Sequence, residues 1–405
     1  MKQQLFALAL ALLTLAAIGF YPELREADAA VLQTAAQVAP PARPAHAGQG
    51  ARVDLVFVLD TTGSMGGLID AAKEKIWSIA TTMARAQPAP EIRIGLVAYR
   101  DRGDQYVTRV FDLTTDLDSM YAHLMDFKAD GGGDGPEAVN QALSDAIGSM
   151  SWNTAPTTYK AVFLVGDAPP HFDYQNDVQY PTTLALARQR GIVVNTIQCG
   201  HDNTTTEPWS QIASLGGGDY LKVEQNGSAV AIATPYDDKL AQLSAALDAT
   251  RLYYGDAKVQ AEKRAKLAAT DKLEMDASPA VRARRATFNA SASGAANLLG
   301  AQELVSEVAS GRVRLEDIHK DQLPAPLKSL APAAQAAYLK GQAAKRDALN
   351  KDIAQAAAAR AEYLQEKVAA AGGSRDSLDA KLFTTLRAQA KRVGAMELDK
   401  EGPAY

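Results

Sequence analysis

A chain of 405 residues, with 47% hydrophobic and 22% charged side chains, has room for two or three domains at roughly 150 residues each and is neither a disordered polymer nor a multi-span membrane protein. Its 42 Lys and Arg against 47 Asp and Glu leave a net charge of −5, which argues against nucleic acid as a main partner because phosphate binding needs a basic surface. The lone cysteine, Cys199, excludes an intramolecular disulfide and a cysteine-based zinc cluster.

Residues 1–4 give a weakly basic start, and residues 5–20 carry no charge and consist mostly of Leu and Ala. A helix over that run spans roughly 24 Å at about 1.5 Å per residue, short of the ~30 Å hydrocarbon core. Ala27-Asp28-Ala29 and Ala45-His46-Ala47 offer cleavage sites, so residues 1–29 read as an export signal, cleaved or kept as an N-terminal anchor. Both forms predict an extracytoplasmic protein, periplasmic or secreted, touching membrane only through an uncleaved N-terminus. The Pro/Ala-rich residues 30–50 read as a linker.

From 51 to 250 apolar runs alternate with helical patterns, as in βαβ units. Buried strands are expected over 53–59, 92–99, 161–165 and 192–197, and Ile69, Ala72, Ile76, Ile79 and Met83 mark one face of the first helix. An antiparallel edge strand is expected over 106–111, helices over 117–127 and 138–150, a short strand over 220–223, and a helix ending near 250. The Val/Ile/Leu-rich runs predict an α/β fold: a doubly wound, mostly parallel, Rossmann-like sheet covered on both faces. Its ligand belongs at the carboxyl ends of the strands.

The first strand ends in Asp60-Thr61-Thr62-Gly63-Ser64, which aims one carboxylate and two hydroxyls to one side. Asp134 lies in the loop Asp130-Gly131-Gly132-Gly133-Asp134-Gly135-Pro136-Glu137, and Asp167 ends the strand around 162–166. Three loops thus offer hard oxygen donors to one cation, suiting Mg²⁺ or Mn²⁺, with the larger Ca²⁺ as an alternative, and not zinc. Each also has a plainer use: Asp60, Thr62 and Ser64 as helix caps, Asp134 as a loop or N-cap residue. Glu137 reads as a first-turn residue favoured by the helix dipole, and Asp101 as an acid near the same rim.

Residues 53–225 resemble a von Willebrand factor A domain, and the cluster resembles its metal-ion-dependent adhesion site. The family's D-x-S/T-x-S falls on Asp60, Thr62 and Ser64, its strand-end aspartate on Asp167, and its third-loop threonine on Asp134, which is a departure. The glycine-rich loop and Val165-Gly166-Asp167-Ala168-Pro169-Pro170-His171 resemble a bacterial and kinase-associated branch of the family, whose exported bacterial members carry similar helical tails. The resemblance implies a divalent cation, Mg²⁺ foremost, with one coordination position that a partner protein's acidic side chain fills. With Asp134 as a third carboxylate the site would hold a formal charge near −1, which disfavours an acidic partner group or makes Asp134 bind through water.

Other side chains open other readings. His171, Asp173 and His201 near strand ends could form a zinc-type hydrolytic site, although no metalloprotease spacing accompanies them and solvated loop histidines are the plainer assignment. Arg102-Gly103-Asp104 is short enough to occur by chance. No phosphate loop, nucleophile elbow or kinase motif is present, so no enzyme is expected.

From 255 to 405 the chain reads as a separate helical domain. Helices are expected over 262–272, 281–290 and 297–310, with Arg282, Arg284 and Arg285 on a solvated face. Leu349, Ile353, Ala357, Leu364 and Val368 stripe a long Ala-rich helix over 333–371. Gly372-Gly373 ends it and Ser374 can cap the next, striped by Leu378, Leu382, Leu386, Ala390 and Val393, giving an αα-hairpin. That stripe is either its own core or the seam of an oligomer, in which case the protein is a structural scaffold assembling through its tail.

Overall fold

The apolar runs become the centre of one sheet. The computed structural model describes residues 50–133, 135–225, 232–370, 377–394, 396–398 and 402. The export signal, all but the last residue of the linker, Asp134 and Ser374 fall outside the described residues. The strands are β1 (Arg52–Asp60), β2 (Glu91–Tyr99), β3 (Thr108–Thr114), β4 (Thr158–Gly166), β5 (Ile192–Cys199) and β6 (Gly217–Val223). They lie in the order β3-β2-β1-β4-β5-β6. Every neighbouring pair is parallel except β2 with the edge strand β3. That order reverses between β1 and β4, which makes their carboxyl ends the topological switch point.

Side-chain alternation sends each strand to two cores. Val53, Leu55, Phe57 and Leu59 of β1 face α1 (Gly66–Ala84) and α2 (Leu117–Asp126), and Val56 and Val58 face α3 (Val139–Gly148), α4 (Tyr180–Gln189) and α5 (Asn203–Leu215). Sequence reading passes over α4 and α5 because Pro181 sits in the first turn of one and Pro208 inside the other. The edge strand starts two residues later than expected. Tyr106 leaves the ladder, its hydroxyl 2.6 Å from Thr61 Oγ1 and its ring between the Arg100 and Arg109 guanidiniums at 4.6 and 4.1 Å.

Eight helices follow among the described residues: α6 (Asp237–Asp248), α7 (Ala257–Asp276), α8 (Pro279–Asn289), α9 (Ala295–Leu299), α10 (Leu304–Ala309), α11 (Ala325–Lys328), α12 (Pro332–Ala370) and α13 (Leu378–Val393). The single helix expected over 297–310 is two short ones, broken at Gly300, whose φ of +64° favours glycine. Ser377, not Ser374, caps α13 by accepting from the Ala380 amide.

The hairpin expectation also needs correcting. α12 packs on α6, α8 and α10, whereas α13 packs on α1, β4 and β6. Leu378, Leu382, Leu386 and Ala390 join the same core as Phe57 and Phe163 of the sheet. At about 1.5–3 kcal/mol per buried leucine, that face alone holds α13 on the sheet. Polar contacts fix its register: Lys75 and Asp379 pair at 2.9 Å, Tyr159 donates to Gln389 at 2.8 Å, and Gln389 donates to Asn195 at 2.6 Å. The Arg282–Arg285 face is not solvated either, since Arg284 and Arg285 are buried and paired with acids. No helix among the described residues is long and apolar enough to cross a membrane.

Candidate metal centre

Where β1 ends, the backbone turns through Thr62 into a short 3-10 turn (Gly63–Met65). Asp60 Oδ1 accepts from the Thr62 amide at 2.8 Å and from Thr62 Oγ1 at 2.6 Å. Ser64 Oγ lies 3.5 Å from Thr62 Oγ1, at the solvent side. The strand-end motif thus folds onto itself. Asp60 Oδ2, on the same fully buried carboxyl, meets no hydrogen-bond donor among the described residues. Burial, opposed by the Thr62 hydrogen bonds and reinforced by the Asp167 charge, pushes this carboxyl up to about 7.

Asp167 follows β4. Gln225 Nε2 donates to Asp167 Oδ2 at 2.7 Å and to the Ser64 carbonyl at 3.2 Å, tying the two strand-end loops together. Thr205 Oγ1 donates to the Asp167 carbonyl at 2.8 Å. Asp60, Thr62, Ser64 and Asp167 are therefore neighbours on one rim; Asp134 lies outside the described residues. The loop before it crosses the site: Gly63 donates its amide to the Gly131 carbonyl at 3.1 Å, and Gly132 (φ +78°) lies against Thr62.

Two side chains at this rim were not expected there. Glu137 is not in the first turn of α3 but two residues ahead of it, and is 3% exposed. Its Oε2 has no hydrogen-bond partner among the described residues. Burial first, then the charges of Asp60, Asp101, Asp104 and Asp167, push its carboxyl up to about 9. Gln225 is the other; glutamine in a loop carries no sequence signal for a bridging role. Asp101 is buried and accepts from Tyr174 OH at 2.8 Å, while Asp104 accepts from the Asp101 and Gly132 amides at 3.1 Å. Arg102 lies over the Tyr174 ring at 4.0 Å and pairs with Asp177, so both charged residues of Arg102-Gly103-Asp104 are engaged within the chain.

The histidine cluster does not assemble. His171 is buried, 2.8 Å from Asp173 and 3.4 Å from Asp101, and stacks on Tyr174, whereas His201 is exposed and faces Glu224 at 3.7 Å. Among the described residues no three His, Cys, Asp or Glu side chains are grouped to hold a metal ion. What the rim offers instead is a few acids mixed with hydroxyls. A buried carboxylate oxygen lacking a donor, beside Thr and Ser hydroxyls, fits a hard divalent cation.

Gly166 allows a close approach at this rim. A Cβ there would lie 2.5 Å from Tyr99 OH and 3.0 Å from Asp60 Cβ and Oδ2. Gly166→Ala is expected to lower stability by about 1–3 kcal/mol through overpacking. Adding Tyr99→Phe removes one clashing oxygen, so the double variant should lose less than the sum in urea unfolding; strict additivity would show that Tyr99 is not what the methyl meets.

Six strands in this order, with oxygen donors gathered at the switch point, define a doubly wound α/β domain. Residues 54–234 match the family model described as von Willebrand factor A domain. Relatives include the alpha-protein kinase vwkA of Dictyostelium discoideum, 31% identical over 121 residues, covering 29% of this chain and 19% of that protein. Another is the von Willebrand factor A domain-containing protein 7 of Homo sapiens, 38% identical over 116 residues, covering 29% of this chain and 12% of that protein. The chain thus spans less than a fifth of the length of these relatives. Among solved structures, proximal thread matrix protein 1 of the mussel byssus with a zinc-occupied MIDAS motif is similar at 16% identity and a TM-score of 0.35, covering 54% of this chain and 46% of that one.

Proposed function

We propose that the rim formed by Asp60, Thr62, Ser64 and Asp167 binds a divalent cation and, through it, a partner protein. The observation that carries this reading is the Asp60 carboxyl: wholly buried, held by Thr62 on one oxygen, and lacking a donor on the other. Mg²⁺ is the first candidate, because it favours a few hard oxygens and keeps exchangeable waters. A bound cation would supply a positive centre to which an oxygen of the partner coordinates. Asp134 belongs to the donor set by its place in the sequence, and Glu137 adds a further buried carboxyl at the same rim.

The chain's own residues prepare the site in three ways. Thr62 fixes the Asp60 rotamer, Gln225 holds the Asp167 loop against the Ser64 loop, and Gly166 lets Asp60 and Tyr99 pack close against the end of β4. We further propose that the protein works outside the cytoplasm, on the strength of the charge-free run at residues 5–20. No catalytic step is proposed.

The test removes the cation and then one donor. Chelator-treated protein should melt at a higher temperature when Mg²⁺ is restored, and Asp167→Ala should lose most of that gain. A pull-down from envelope extract should recover a partner with Mg²⁺ and not with chelator. Identical melting with and without divalent cations would sink the reading.

A further inference from the structure

Along the C-terminal half of α1, away from the rim at its N-terminus, three arginines line one small pocket. Arg85, at the C-terminal cap of α1, Arg284 of α8 and Arg360 of α12 line it together with Ser78 and Thr81 of α1. Its volume is about 40 Å³, room for several waters or one small polyatomic ion at about 10–15 Å³ per water-sized position. Ser78, Thr81, Arg284 and Arg360 are each less than a tenth exposed. Ser78 Oγ, Thr81 Oγ1 and Arg284 Nε have no hydrogen-bond partner among the described residues. A buried hydroxyl or guanidinium N–H without a partner is costly to keep, so three around one space point to a missing ligand.

The charges say which kind. Each of two guanidiniums is anchored on one side by an acid: Arg284 Nη1 donates to Glu74 Oε2 at 2.8 Å, and Arg360 Nε to Asp237 Oδ1 at 2.7 Å. Burial lowers the basicity of Arg360, its hydrogen bond to Asp237 opposes that, and the nearby charge of Arg284 adds to the lowering, so the two cations repel each other even with Asp237 and Glu74 close by. Water would satisfy the hydroxyls and leave that repulsion in place; an anion relieves both. Donors from three helices line the one space, which suits a tetrahedral oxyanion better than a planar carboxylate served by one fork.

We infer that this pocket between α1, α8 and α12 binds a phosphate or sulfate group. Arg85 is half-buried and Gln365 exposed at its edge, so the group can arrive free or as the end of a phosphomonoester. The anion bridges the α/β domain to two helices of the C-terminal region and should lock them together.

The test uses the full chain after chelator treatment, so that phosphate cannot act by way of a cation. Sodium phosphate is titrated against sodium chloride at equal ionic strength while thermal unfolding is followed, with calorimetry for affinity. Phosphate should give a saturable rise in melting temperature that chloride does not, and acetate should do little. Thr81→Val and Arg85→Gln, which leave both acid pairs intact, should each weaken phosphate binding about tenfold, as expected for one hydrogen bond to a charged group. Glycerol phosphate binding as tightly as phosphate identifies a phosphomonoester end as a ligand, and binding of the inorganic ions alone identifies a free oxyanion; both support the site. Equal melting in phosphate and chloride, a rise that never saturates, or unchanged affinity in both variants would overturn it and leave the pocket to water.

Discussion

Arg285→Met is expected to lower the stability of the folded chain by about 3–5 kcal/mol, read as a fall in the urea midpoint at pH 7. Arg285 is completely buried. Its Nε and Nη2 grip Asp118 at 2.7 and 2.5 Å, its Nη1 and Nη2 grip Asp248 at 2.6 and 2.9 Å, and Nη1 also donates to Ser244 at 2.8 Å. All five N–H donors are used, which a lysine could not imitate. Removing the guanidinium leaves two carboxylates in the interior, and the cost comes mainly from those stranded charges. Replacing Asp118, Arg285 and Asp248 together by apolar residues of similar volume should therefore cost much less than the single change.

The same network has a pH signature. Burial pushes the Asp118 carboxyl up, but the charge and hydrogen bonds of Arg285, helped by Lys266 and Arg251, outweigh it and hold Asp118 below the ordinary carboxylate range. Its contribution is thus present above about pH 4, the unfolded value, and is lost as pH falls through the depressed folded value. In Arg285→Met burial dominates and the sign reverses, so the variant loses stability as pH rises from about 4. The gap between the two proteins should be widest at neutral pH and narrow toward pH 4. A gap below about 1 kcal/mol at pH 7 would show that Arg285 does not carry the docking of α2 on α6 and α8.

That arginine also marks where sequence reading stops. A cluster such as Arg282, Arg284 and Arg285 looks like a solvated face, because nothing local announces that Asp118, from a helix 167 positions earlier, and Asp248 will meet it. The central strands are legible for the opposite reason: a run such as Val53–Leu59 is apolar on both faces and admits few other placements. The edge strand β3 has one exposed face, so Tyr106 can leave the ladder for its cation–π sandwich and shift the start. The Asp60-Thr62-Ser64 half of the candidate site is a local motif and is readable as such. Glu137 and Gln225 acquire their roles only when the loops after β1, α2, β4 and β6 come together. Likewise the stripe on α13 states that a partner surface exists, but periodicity is silent on whether that surface is α12 or the sheet.

In chelator-treated protein at pH 8, Asp60→Asn is expected to be more stable than wild type by about 1–3 kcal/mol, and in saturating Mg²⁺ less stable. The first half follows from burial, which raises the Asp60 carboxyl from 3.8 to about 7. At about 1.36 kcal/mol per pH unit, ionising it inside the fold costs roughly 4 kcal/mol above pH 7. The amide avoids that cost while its Oδ1 still accepts from Thr62, though its Nδ2 takes the place of an oxygen that had no partner and recovers only part of the difference. Because a carboxyl raised on folding binds its proton more tightly in the native state, the Asp60 component of metal-free wild-type stability should fall as pH climbs from about 4 to 7 and level off above. The variant should lack that component and keep the slope of the same sign due to Glu137, raised to about 9. The second half follows from mass action: a cation at about a hundred times its dissociation constant adds ~2.7 kcal/mol to a protein that binds it, and nothing to one whose central donor has lost its charge. The order of the two melting temperatures must therefore cross on adding Mg²⁺. A variant below wild type in both conditions would mean that the Asp60 carboxylate is held by the fold alone and awaits no ion.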